Sequence, residues 1–168
     1  ELTLTGRDCG LSERAPMCGV PFHSYETYLA RLVSRGYKVA ICEQMEDPAT
    51  AKGLVKRDII RVVTPGTVME NSMLEEGKNN YLCSVYGTGE QAGICLADIS
   101  TGEARAMEVS GDDLGEAIYN ELSRFSPSEV LLAGTLPQSA ALEKRCHEKF
   151  HALVEHLPDE TDESLCCL

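Results

Sequence analysis

The chain of 168 residues carries 27 Asp/Glu against 15 Lys/Arg, a net charge of -12, with 43% hydrophobic and 25% charged residues, which is ordinary for one average globular domain or two small ones. No apolar run approaches the roughly 20 residues of a membrane helix, and the N-terminus lacks the basic and apolar regions of a signal peptide. A cytoplasmic protein with no membrane partner is expected. The charge is unevenly spread: residues 1–66 hold nine basic side chains (Arg7, Arg14, Arg31, Arg35, Lys38, Lys52, Lys56, Arg57 and Arg61) against eight acidic ones, leaving 67–168 with a net of -13. Such asymmetry predicts two units with different partners: the first can approach a polyanion, and the second suits a protein. Of the eight cysteines, Cys42, Cys83 and Cys95 sit in apolar strand patterns and are expected to be buried thiols rather than parts of a disulfide framework.

In chain order, Leu2-Thr3-Leu4-Thr5 alternates like a strand. It starts at the beginning of the sequence, so its sheet is expected to have had more chain upstream. Gly6 to Pro21 is predicted to be a turn-rich loop. A helix follows from Ser24, its predicted N-cap, to Gly36, with Tyr25, Tyr28, Leu29, Leu32 and Val33 forming one apolar stripe. Tyr37 to Gln44 and the β-branched run Ile59 to Thr67 are predicted strands, buried on one or both faces. Thr64-Pro65-Gly66 closes the second, Gly66 supplying the positive φ of a type II turn. The loop Asp47–Asp58 between them carries Lys52, Lys56 and Arg57.

The charged stretch beyond Val68 is the expected boundary, giving units 1–67 and 81–168 with a linker at 68–80. Tyr81–Tyr86, Ala92–Ile99 and Glu103–Val109 read as three meandering strands, followed by a helix from Asp112 to Phe125 facing inward through Leu114, Ile118, Leu122 and Phe125. Val130-Leu131-Leu132 is a strand of the kind that parallel sheets bury. Pro137 opens a second helix, with Leu142 and Cys146 inward, and Ala152-Leu153-Val154 is the last strand. The order β-β-β-α-β-α-β is that of ribonuclease H-like domains. The acidic stretch Pro158–Glu163 is expected at the surface.

Three constellations have chemical meaning. A ribonuclease H-like nuclease would use Asp98 with Glu116 or Glu121 as metal ligands, but the strand after Val130 ends without an acid, and Asp98 fits better as an acceptor for the Ser100-Thr101-Gly102 turn. His147 and His151 fall at i, i+4 beside Cys146, a spacing that can hold zinc, against which stands a helix end with exposed histidines. Cys166-Cys167 are two adjacent thiols in which a disulfide would be strained.

Family resemblance then adds to this reading. Leu2–Thr5, Pro16-Met17-Cys18-Gly19-Val20-Pro21-Phe22-His23, Tyr28–Val33, Val39-Ala40-Ile41-Cys42-Glu43-Gln44, Asp47-Pro48-Ala49-Thr50 and Arg61-Val62-Val63-Thr64-Pro65-Gly66-Thr67 closely resemble the N-terminal region of the bacterial MutS mismatch-repair proteins. Leu96-Ala97-Asp98-Ile99-Ser100-Thr101-Gly102 resembles the start of that family's connector domain. The resemblance implies an α/β chain made of an incomplete mixed α/β mismatch-binding domain followed by a ribonuclease H-like connector. It implies the later part of a dimeric protein's mismatch reader, with ATP and Mg used by an ATPase domain elsewhere and no cofactor in this part. Implied partners are double-stranded DNA with mismatches, MutL through the connector, and a second copy in the homodimer. The family's Phe-x-Glu wedge motif would lie upstream, and Phe22, within Pro21-Phe22-His23-Ser24, is no substitute. By resemblance Met17, Lys52, Lys56, Arg57 and Arg61 are candidate DNA contacts. Against this stand Met17 packing on the following helix, the cations as a solvated loop, and Arg61 pairing with Glu43. The alternatives to a non-catalytic DNA-contacting and communication module are the metal-dependent nuclease and a metal or redox module.

Overall fold

A computed structural model describes residues 2–8, 10, 12–51 and 53–158. Lys52, the acidic stretch from Asp159 and the pair Cys166-Cys167 lie outside the described residues. Strands β1 (Leu4–Arg7) and β2 (Ala15–Cys18) form an antiparallel ladder with Thr5 opposite Met17. The segment predicted as loop thus contains a strand. Pro16 hid it from the sequence, yet at an edge its missing N–H costs no ladder bond. Helix α1 (Tyr25–Val33) follows at the expected place, burying Leu29 and Val33. Ser24 sits at the N-cap position, but its hydroxyl donates back to the Pro21 carbonyl (3.3 Å) instead of capping the helix.

Strands β3 (Val39–Gln44) and β4 (Arg57–Val63) pair antiparallel, Ile41 opposite Arg61 and Cys42 opposite Ile59. Ile60 is therefore a bulge, and it resets the alternation of β4. On one face Val39, Ile41 and Val63 join Leu29, Val33 and Val68 in a small core. The other face is open: Ile59 and Val62 are 59% and 50% exposed, and Cys42 is exposed too. These strands are more exposed than their β-branched content predicts, because among the described residues the ribbon has only two strands and one apolar partner layer.

Two short 3-10 turns, Pro65–Thr67 and Asn71–Met73, lead onward. The first corrects the type II expectation. Thr64 and Thr67 close a reciprocal capping box, and Gly66 does not have a positive φ. Glycine is required there by close approach, since a Cβ would lie 2.8 Å from Glu129 Cβ and 3.0 Å from Leu82 Cβ.

The second core is built on β5 (Leu82–Thr88), β6 (Gln91–Asp98), β7 (Glu103–Ser110), α2 (Leu114–Phe125), β8 (Glu129–Thr135), α3 (Ser139–Phe150) and β9 (Leu153–His156), in the order predicted. The sheet runs β7-β6-β5-β8-β9, antiparallel through β5–β7 and parallel from β5 to β9. Alternation fixes its faces: Cys83, Val85, Ile94, Leu96, Val130 and Leu132 point toward α2 and α3, where they meet Ile118, Leu122, Leu142 and Cys146. Burying a side chain such as Ile118 contributes about 1.5–3 kcal/mol. Cys95 falls on the opposite face and is exposed, contrary to expectation, because it alternates with Ile94 and Leu96. Asp113 caps α2 by accepting from the Glu116 amide (3.0 Å), and Ser126 ends it in the left-handed conformation one residue before Pro127.

Candidate nucleic-acid interface

Met17 lies on strand β2 rather than in a loop, 43% exposed, and its carbonyl accepts from the Thr5 hydroxyl at 2.8 Å. Lys56 is exposed. Its amide donates to Glu46 Oε1 (2.6 Å) and its carbonyl accepts from the Met45 amide (2.9 Å), so the backbone of Lys56 closes the base of the 45–56 loop while its side chain points to solvent. Arg57 is the first residue of β4, opposite Gln44, and not part of the loop. No ion pair to Lys56 or Arg57 is found among the described residues.

Arg61 is placed differently. The bulge at Ile60 puts it on the opposite face of the ribbon from Arg57, beside Ile41, where its guanidinium donates to both Glu70 oxygens (2.7 and 3.3 Å) and to the Thr67 carbonyl (3.1 Å). Glu70, not Glu43, is its acid partner, since Glu43 stands across from Asp58. Burial would raise the Glu70 carboxyl, but the hydrogen bonds from Arg61 and the local amides outweigh it and hold the group below its ordinary value. Arg61 thus braces the end of β4 against the stretch that follows.

The carboxylates of the nuclease reading are each engaged close by. Asp98 is 1% exposed and accepts from the amides of Asn80 (3.1 Å), Ser100 (2.9 Å) and Thr101 (3.3 Å) and from the Ser100 hydroxyl (2.6 Å), the turn-bracing role its sequence context predicts. Burial pushes its carboxyl up, and these donors more than reverse the effect, holding it below the usual range. Glu116 receives Arg145 (2.6 and 3.3 Å), whose guanidinium lies 3.5 Å from the centre of the Tyr119 ring, and Glu121 receives Arg124 at 2.7 Å. His151 is past the end of α3 in the left-handed conformation, so it does not share a helix face with His147, and His156 faces Glu143 at 3.0 Å. Cys146 is buried, as expected. Among the described residues no group of three or more His, Cys, Asp or Glu side chains could hold a metal ion.

One cluster escaped the sequence. The carboxylate of Glu129, at the start of β8, accepts from the Thr64 hydroxyl and from the Gly66 amide (2.9 Å). Asn80 donates through Nδ2 to the Pro65 carbonyl (2.9 Å) and accepts from the Ser128 hydroxyl (2.6 Å). Lys38 pairs with Glu155 nearby on the surface. The visible signal was one acid heading an apolar run, Glu129-Val130-Leu131-Leu132.

A small α/β unit with exposed cations, joined by a polar seam to a five-stranded sheet of ribonuclease H-like order, is the class of protein that this geometry defines. Residues 1–72 match the model of MutS domain I, and residues 80–164 that of MutS domain II. The chain belongs to the MutS family of DNA mismatch repair proteins. It is 51% identical to the DNA mismatch repair protein MutS of Acetivibrio thermocellus over 95% of its length, and 52% identical to that of Ruminiclostridium cellulolyticum over 92%. With the MutS of Clostridium tetani the identity is 57% over 79%. The chain spans only about 18% of the first two relatives and 15% of the third.

Proposed function

We propose that residues 1–67 contact duplex DNA around a mismatch and that residues 81–168 act as a connector passing that state to a protein partner, with 68–80 as the linker. The observation that carries this reading is the match to MutS domain I on a unit where Lys56 and Arg57 are exposed and have no ion pair among the described residues. Such cations position a duplex through its phosphates and carry no sequence information. Met17 and Lys52 are proposed as further DNA contacts, whereas Arg61, held by Glu70, reaches DNA only if that pair opens. The net charge of -13 on residues 67–168 repels DNA and suits a protein, and MutL is the partner proposed for it. In the longer protein, ATP with Mg and a second copy complete the machine, and the setting is the cytoplasm. Neither matched domain is an ATPase, and catalysis is proposed to lie outside this chain.

The test is a fluorescence-anisotropy titration of the chain against matched and single-mismatch duplexes at low and higher salt. Salt-sensitive binding that Arg57→Ala and Lys56→Ala weaken is expected, with little preference for the mismatch in the absence of a Phe-x-Glu wedge. Binding that is indifferent to salt and to both substitutions would overturn the assignment of the phosphate track.

A further inference from the structure

We infer that Glu129 is a positioning residue: its buried carboxylate fastens the Pro65–Thr67 turn to the five-stranded sheet, in a joint that opens without unfolding either unit. Glu129 is 3% exposed, yet it lies on the opposite face of β8 from Val130 and Leu132, away from α2 and α3. Its burial comes from the turn seated on it. One oxygen, Oε2, accepts from both the Thr64 hydroxyl and the Gly66 amide, and the Thr64 hydroxyl is itself held by Thr67 Oγ1 at 2.9 Å. The turn can come this close only because residue 66 has no side chain.

The chemistry of the seam sets how it behaves. A carboxylate buried without a cation has given up its water for two donors, and no salt bridge to Glu129 is found among the described residues. Its hydrogen bonds are directional, so they accept one orientation of the two units and penalise others. On opening, the carboxylate regains its hydration, which makes separation less costly than it would be across an apolar seam of equal area. The rest of the seam has the same character, through Asn80 with Pro65 and Ser128, and Lys38 with Glu155. The two buried apolar clusters share no member, although the turn also rests on Leu82. Each unit therefore retains its own core when the joint opens.

Hydrogen exchange followed by mass spectrometry on the whole 168-residue chain tests this. Glu129→Ala is expected to speed exchange in residues 64–67 and 79–80 by about tenfold or more, the loss of charge-assisted hydrogen bonds, while β5, β6 and β8 keep their protection. Glu129→Gln, whose amide oxygen can accept from the same two donors, restores the slow rate. Gly66→Ala, which pushes on the joint from the other unit, reproduces the opening. Unchanged exchange in Glu129→Ala or Gly66→Ala overturns the inference. So does a rise spread through β5, β6 and β8, which would make Glu129 a support of its own sheet only, and so does a Glu129→Gln variant as open as Glu129→Ala.

Discussion

Asp98 shows how a few neighbouring residues become stability. Its carboxyl sits below its ordinary value of 3.8 in the folded chain, so the stability it contributes is present above that value and is lost as pH falls through the lower folded one. Asp98→Asn is therefore expected to flatten the acid limb of the stability curve below about pH 4, as measured by urea unfolding at a series of pH values; an unchanged limb would refute this. Asp98→Ala, which orphans several donors at once, is expected to cost about 2–3 kcal/mol at neutral pH. The cysteines divide by burial. Desolvation pushes the Cys83 thiol up to about 12 and that of Cys146 up to about 11, whereas Cys18, Cys42 and Cys95 are exposed. Among the five cysteines of the described residues, brief alkylation of the native chain at neutral pH should label the exposed three and spare the buried two, because the thiolate is the reactive form; early labelling of Cys83 in peptide mass spectra would contradict the packing described. The role of Asp98 was legible because its partners Ser100 and Thr101 are neighbours in sequence. Glu129 was not, since its donors lie 63 and 65 residues away.

At the scale of elements, periodicity and turn residues were enough to place α1, α2, α3 and the five strands of the connector. Their order follows from alternating apolar positions and from stops such as Pro127 and Gly102. What the pattern could not show was pairing: strand β2, disguised by Pro16, and the bulge at Ile60 depend on which strand lies alongside. Two glycines of similar φ separate backbone strain from crowding. At Gly102 (φ +76°) a Cβ meets nothing within 4 Å, while at Gly134 (φ +71°) it would lie 2.3 Å from the Gly87 carbonyl oxygen. Gly102→Ala should cost about 1–2 kcal/mol for its conformation alone, and Gly134→Ala clearly more, since β5 and β8 must move apart. Thermal melts of the two variants compare them, and equal losses would argue against the close approach of those strands.

For the whole molecule, the division of charge was visible in composition, but its use depends on placement. Arg57 and Arg61 are four residues apart and would share a face of a regular strand; the structure turns one toward solvent and the other toward Glu70. Removing Arg57 is accordingly expected to lower the salt dependence of DNA binding by about one phosphate contact. Removing Arg61 should act mainly on the melting temperature of the N-terminal unit. Anisotropy at several salt concentrations, paired with thermal melts, distinguishes the two, and an equal change of salt slope for both would place Arg61 on the DNA side after all.

The bulge also makes the ribbon tolerant of a change in length. Because Ile60 is the surplus residue opposite the Ile41–Cys42 step, a chain lacking it would join Arg61 directly to Ile59 with every remaining side chain still on its present face. Loss of Val62 has no such escape: it would turn over the whole strand before it, carrying Arg57 inward and Asp58 outward. A deletion at position 60 therefore leaves unchanged which side of the ribbon carries the cations, whereas one at position 62 reverses it.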